Sequence, residues 1–321
     1  MKPSEIKTTF FVVGMSRAGT SWLVAQLNQH PRLVSYGETT YWGRSYIQPD
    51  ESGTYSVEQI SGFKNLFKGC VTRNPSTRDA YERAMEQYFS NLNESKTPSE
   101  FFLEINRVIG SVAGANMVIE KTPHHLNHLD RIKKAIGDTK FIVMKRQAYS
   151  FMRSYKHQGD RKEEAVKKAF ERLYHPIAAS LVWKKYFNSI ENALKNHKSD
   201  VHLIDHQKIA EEPRNVLEGV MDFLGVDLPD EITGTKKINS SFEGVKQRDL
   251  KPADLFWMNL INGKRIKTDG QTYRKTPIGV GSLLGVIGSL FTAVPWIFRN
   301  VMNAKKKSKG GLSYFLQYLK R

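Results

Sequence analysis

Phe10-Phe11-Val12-Val13-Gly14-Met15-Ser16-Arg17-Ala18-Gly19-Thr20-Ser21-Trp22-Leu23 reads as strand, turn and helix in succession. A short apolar run rich in β-formers stops at Gly14, and apolar residues then recur at helical spacing at Trp22, Leu23 and Leu27. The turn over residues 14–21 has the spacing G-x-x-x-x-G-x-[ST] of a nucleotide-binding loop. It sits where such a loop must, at a helix N-terminus whose backbone amides and dipole can hold an anion. The lysine of a Walker loop is missing. Thr20 stands in its place, and Arg17 lies inside the loop instead. Ser16, Arg17, Ala18, Gly19, Thr20 and Ser21 are therefore the candidate contacts for one anionic group at the 5′ end of a nucleotide, with no obligatory metal. Triphosphate chemistry loses support.

Working outward, residues 117–120, 141–144 and 201–204 read as three further short strands, each followed by a helical pattern. Helices are expected over 123–136, around 151–157, over 163–194 with a break near Pro176, and over 213–224 with Gly225 as the stop. Residues 58–112 are helical and polar, an insertion or lid. Alternating strands and helices predict an α/β fold of the P-loop-like, three-layer kind, with a mostly parallel central sheet covered by helices on both faces.

A chain of 321 residues, 40% hydrophobic and 25% charged, can bury a large core and is neither fibrous nor a multi-span membrane protein. Its departure from the average is charge. The net is +17, and residues 236–321 alone carry 17 basic against 4 acidic side chains. This suits an anionic nucleotide, a nucleic acid or an anionic bilayer. The single cysteine, Cys70, excludes an intramolecular disulfide or a cysteine-based metal cluster. The first residues lack the apolar core of a signal peptide, so a cytoplasmic protein is expected.

Lys145-Arg146 ends the third of these strands, and Ser154 follows eight residues later on the next helix. An arginine at a strand end and a serine two turns into the following helix can converge on one anion at the carboxyl edge of the sheet.

Residues 14–23, with His30-Pro31 and Gly37-Glu38 after them, resemble the signature of the PAPS-dependent sulfotransferase superfamily: Arg-Ser-Gly-Thr-Thr, then His-Pro, then Gly-Glu. The bacterial branch and the tyrosylprotein sulfotransferases are the most similar. The resemblance covers about residues 8–226. It implies a sulfotransferase domain over 1–240, with the helical insertion at about 55–113, and a C-terminal extension over 241–321. It also implies 3′-phosphoadenosine-5′-phosphosulfate (PAPS) as co-substrate, no metal and no nucleic-acid partner. Arg146 and Ser154 then take the 3′-phosphate. Glu38 matches the general base of the tyrosylprotein type, and Lys121, in Glu120-Lys121-Thr122-Pro123, matches the family's lysine and can offer a point charge to the bridging oxygen. Arg17 would neutralise the sulfuryl oxygens. The pattern is broken at His206-Gln207, where relatives have Tyr-Glu. Ser240, Ser241 and Lys246 match a nucleotide-covering loop only loosely.

His124, His125 and His128 raise a zinc site, but no cysteine or acidic motif completes a ligand set. Two other classes compete with a sulfotransferase. A P-loop kinase or NTPase lacks its lysine here and lacks a clear magnesium aspartate at a strand end; magnesium-dependent ATP hydrolysis would favour it. A non-enzymatic membrane or nucleic-acid adaptor would keep binding after loss of the loop but not of the tail.

Beyond residue 240 basic loops are expected around an uncharged stretch over 276–298, which is 23 residues long and enough on paper to cross a bilayer. Gly279, Gly281, Gly285, Gly288 and Pro295 interrupt it, and both flanks are basic, with Arg274-Lys275 before it and Arg299 and Lys305 to Lys307 after it. A spanning helix usually keeps its positive flank on one side. The pattern favours a membrane-contacting hairpin on anionic lipid over burial or a span, and hence a peripheral place at the inner membrane surface and an amphiphilic acceptor such as a lipid or glycolipid. Carbohydrate and protein acceptors stay open.

Overall fold

The computed structural model describes residues 6–68, 75–160, 162–232, 249–277 and 279–307. Cys70, Ser240, Ser241 and Lys246 lie outside them. The chain divides into two compact units, one of residues 1–146 and 186–239, the other of residues 147–185 and 240–321.

The first unit is built on a five-stranded sheet: β1 (Lys7–Gly14), β2 (Leu33–Tyr36), β3 (Met117–Lys121), β4 (Lys140–Lys145) and β5 (Val201–Asp205). The order is β2-β3-β1-β4-β5 and every pairing is parallel. Phe11, Val12 and Val13 on β1 are fully buried, as are Phe141 to Met144 on β4. Successive residues of a strand face opposite ways, so helices must cover both faces of the sheet. The expected α/β fold with a parallel sheet is thus the one observed. The expected strands at 117–120, 141–144 and 201–204 are β3, β4 and β5, whereas β2 was not foreseen.

Helix α1 (Thr20–Leu27) follows β1 directly. The insertion comprises α2 (Val57–Gly62), α3 (Lys64–Lys68), α4 (Pro75–Ser90) and α5 (Pro98–Ala113). Capping boxes start two of these helices, Ser56 with Gln59 and Thr97 with Glu100, and Pro98 takes the first helical position of α5. An aromatic cluster of Tyr41, Trp42, Phe63, Phe67, Phe101 and Phe102 ties the insertion to the sheet, where Phe102 stacks on Phe11 at 5.6 Å. The expected helix over 123–136 is two pieces, a 3-10 turn at Pro123–His128 and then α6 (Leu129–Ile136).

The second unit holds α7 (Ala148–Lys156), α8 (Glu164–Leu173) and the start of α9 (Pro176–Asn196), whose residues from 186 on belong to the first unit. In the first unit, α10 (His206–Glu211) and α11 (Pro213–Leu224) follow β5. The second unit is completed by α12 (Pro252–Thr268) and α13 (Val280–Lys307). Buried Asp254 on α12 organises it: Lys156 pairs with its carboxylate and the Tyr174 hydroxyl donates to it at 2.6 Å. On the same helix Asn259 accepts from the Tyr149 hydroxyl at 2.6 Å. Where a hairpin was expected, 276–298 instead lies largely within one continuous helix, α13. The helix runs through its glycines and Pro295, which are exposed, and it meets α12 on another side, where Ser289 is buried.

Candidate active site

Parallel strands bring all their carboxyl ends to one edge of the first unit, and the chain turns to opposite sides of β1 there, which is where open α/β sheets bind ligands. The phosphate loop leaves β1 at that edge. Its conformation is set by three left-handed residues: Gly14 (φ 136°), Arg17 (φ 67°) and Gly19 (φ 90°). A β-carbon at Gly14 would stand 2.3 Å from the Met144 carbonyl oxygen, so only glycine lets β1 approach β4 there. Met15 N donates to that same carbonyl at 2.8 Å. Arg17 is half-buried, and burial lowers its pKa from the usual arginine value. A guanidinium remains charged under such a shift, so the loop carries an incompletely hydrated cation.

Arg146, buried at the end of β4, donates from Nη1 to the Arg17 carbonyl oxygen. The second cationic residue thus braces the backbone that presents the first. Beside it lies His206, the first residue of α10. Burial, and then the Arg146 charge, push its pKa down to about 3, so the imidazole is neutral. Ser154 is buried on α7 and belongs to the second unit.

Lys121 ends β3, with Val12 of β1 opposite it in register, two residues before the loop begins. Its side chain is 2% exposed, and its ammonium donates to Glu38 Oε1 at 2.7 Å. Glu38 is 49% exposed. A buried ammonium needs a partner of this kind, and the carboxylate supplying it faces solvent.

What fixes Glu38 is a buried polar network. Its neighbour Thr39 donates to Glu120 Oε1 at 2.9 Å, as does Thr122 at 2.5 Å. Trp42 N donates to His125 Nε2 at 3.2 Å, so the ring proton is on Nδ1 and points to Glu120 Oε2, 3.0 Å away. Burial raises the Glu120 pKa, but His125, Thr122 and Thr39 outweigh it and hold the carboxyl below its ordinary value. A β-carbon at Gly37 would sit 1.9 Å from the Lys121 carbonyl oxygen. The loop bearing Glu38 and the strand bearing Lys121 are therefore in backbone contact.

The three histidines raised as a zinc set turn to different partners. His125 serves Glu120, the His128 ring packs by Gly43, and His124 Nδ1 hydrogen-bonds the Tyr186 hydroxyl at 2.9 Å. The Tyr186 hydroxyl in turn meets Ser16 Oγ at 2.9 Å. Tyr186 thus links the phosphate loop to the turn after Lys121, a role no motif announces, because it lies 170 residues from Ser16 on an ordinary amphipathic helix.

Residues 9–230 match the sequence model described as the Sulfotransferase family, more than half of the chain. The chain belongs to the sulfotransferase family. The sulfotransferase domain from the olefin synthase of Synechococcus PCC 7002 is 15% identical with a TM-score of 0.52; 84% of this chain and 96% of that one are covered. The sulfotransferase domain from the curacin biosynthetic pathway is 16% identical, covers 89% and 98%, and has a TM-score of 0.48. The sulfotransferase STF9 from Mycobacterium avium is 12% identical, covers 83% and 78%, and has a TM-score of 0.47. No curated protein matches. The parallel α/β sheet that the sequence predicts is thus the fold of a sulfotransferase-family chain.

Proposed function

We propose that this sulfotransferase takes its sulfuryl group from PAPS and delivers it, by in-line displacement, to a hydroxyl or amine acceptor, with Glu38 as the base. The observation that carries the reading is the Lys121–Glu38 pair at the same sheet edge as a phosphate loop that holds Arg17 and lacks the Walker lysine. The donor set suits an anion without a metal: the backbone amides at the N-terminus of α1, Arg17, Lys121 and Arg146. In this assignment Ser16, Arg17, Ala18, Gly19, Thr20 and Ser21 hold the 5′-phosphosulfate, and Arg146 with Ser154 hold the 3′-phosphate. PAPS supplies an activated sulfuryl group. Glu38 accepts the proton from the acceptor O–H or N–H as that atom bonds to sulfur. Lys121 offers its charge to the bridging oxygen that departs with the phosphate, and Arg17 offers its charge to the sulfuryl oxygens.

The division into a sulfotransferase domain over 1–240 and an extension over 241–321 belongs to the same proposal. So does a cytoplasmic enzyme peripheral on the inner membrane surface, with a lipid or glycolipid acceptor; the apolar, basic extension supports it. The test is calorimetry of 3′-phosphoadenosine-5′-phosphate without magnesium, on the native chain and on Arg146→Ala, with ATP as competitor. Tight binding, weakened by the substitution and indifferent to ATP, is expected. Preference for magnesium ATP would return the loop to kinase chemistry.

A further inference from the structure

Helix α13 is built inside out. Its protein-facing seam follows a heptad spacing, Ser282, Val286, Ser289, Ala293 and Trp296, and is mostly small or polar. Ser289 is buried there, its hydroxyl accepting from Trp257 Nε1 at 2.6 Å and its carbonyl from His175 Nε2 at 3.1 Å. The bulky apolar residues point the other way. Val280, Leu284, Ile287, Phe291, Val294 and Phe298 are all exposed, Leu284 at 63% and Phe291 at 77%. A helix that serves only its own core puts such residues inside.

Charge identifies what covers this face. After Asp269 the chain carries nine lysines and arginines and no acidic residue, and the helix segment Val280–Arg299 has a mean hydropathy of 1.8. Arg274 and Lys275 before the helix and Arg299 within it are exposed. Bulky apolar side chains between basic ends fit an anionic lipid surface, whereas a protein face would need its own apolar patch with acids at both ends.

The packing also fixes the attitude of the helix. Arg299 donates to the Arg172 carbonyl at 2.8 Å, and His175 holds the midpoint, so the helix is pinned along its length within its own unit. Its neighbour α12 carries Asp254, Lys264, Arg265 and Lys267. Upright insertion of α13 would draw those charges into hydrocarbon.

We propose that α13 is a monotopic membrane-docking helix that lies in the plane of an anionic bilayer, its outward face sunk to the level of the acyl chains. This deepens, and rests on, the membrane part of the reading above; it does not depend on the donor. A failure here leaves 3′-phosphoadenosine-5′-phosphate binding intact, and a failure of the donor assignment leaves vesicle binding intact.

The test is flotation of the full chain with vesicles of phosphatidylcholine alone, or of phosphatidylcholine and phosphatidylglycerol in equal parts. Binding to the anionic vesicles is expected, weakened by salt, with the bound fraction falling about tenfold in the doubly substituted L284E/F291E chain. Both substitutions lie on the exposed face, so the variant keeps its circular dichroism. Attitude is read with single cysteines at Lys275→Cys or Lys305→Cys in a Cys70→Ser background, labelled by an impermeant maleimide after vesicle binding; both ends must react. Protection of one end means a span and overturns the proposal. So does failure to bind either vesicle, or a chain that is dimeric by light scattering, monomeric as L284E/F291E and indifferent to lipid, which would make a second copy the true cover.

Discussion

The Lys121 ammonium, almost wholly buried, and the Glu38 carboxylate, half open to solvent, share a hydrogen bond of 2.7 Å. If Glu38 is the base, Glu38→Gln lowers kcat by about 10²–10⁴-fold. Binding of 3′-phosphoadenosine-5′-phosphate, which the base does not touch, changes less than about threefold in the same variant. Single-turnover transfer from PAPS and calorimetry measure the two effects. Equal loss in both would make Glu38 a structural partner of the lysine.

Glu120 positions that pair from below. Glu120→Gln keeps the volume but removes the charge that His125, Thr39 and Thr122 all address. A loss of roughly 1–3 kcal/mol of stability is expected for such a buried, charge-assisted network. Thermal unfolding checks it, and an unchanged Tm would mean that the network is slack.

Tyr186→Phe deletes the hydroxyl between Ser16 and His124. One hydrogen bond of about 0.5–1.5 kcal/mol corresponds to roughly 2- to 13-fold weaker donor binding, with the fold intact. Calorimetry on the variant reads it directly. Native affinity would show that the loop holds Ser16 unaided.

His206 makes the first unit acid-sensitive. Its folded-state pKa of about 3 lies below the ordinary value of 6.5 for the unfolded chain, so the unfolded state binds the proton first. The stability this neutral imidazole contributes is complete above about pH 6.5 and is lost as pH falls toward 3. His206→Gln should flatten the slope of stability against pH in that window, as measured by urea unfolding at several pH values. A slope unaltered by the substitution would assign the acid sensitivity to other groups.

Much of this was legible in the chain, for a physical reason. The phosphate loop needs glycine where β1 touches β4, and Lys121 and Arg146 end strands whose apolar runs are hard to mistake. Strand β2 escaped because Ser35 interrupts the apolar pair Leu33-Val34, which leaves neither a continuous apolar run nor a period of two. The Glu120–His125–Thr39 network escaped because its members are ordinary polar residues until folding brings residues 81 apart in the chain together. Helix α13 reads as a hairpin in the sequence because its glycines read as breaks, whereas the chain continues through them as one helix. Its small seam appears only once α12 is in place beside it.

The close approach of Gly37 to the Lys121 carbonyl has a kinetic corollary. No side chain can be interposed between the loop of Glu38 and the strand of Lys121, so the two backbones are held together. Any motion that separated them would first have to break this contact between the two backbones. On the proposed assignment, the proton acceptor and the charge for the departing oxygen are carried by two backbones that cannot part without breaking that contact.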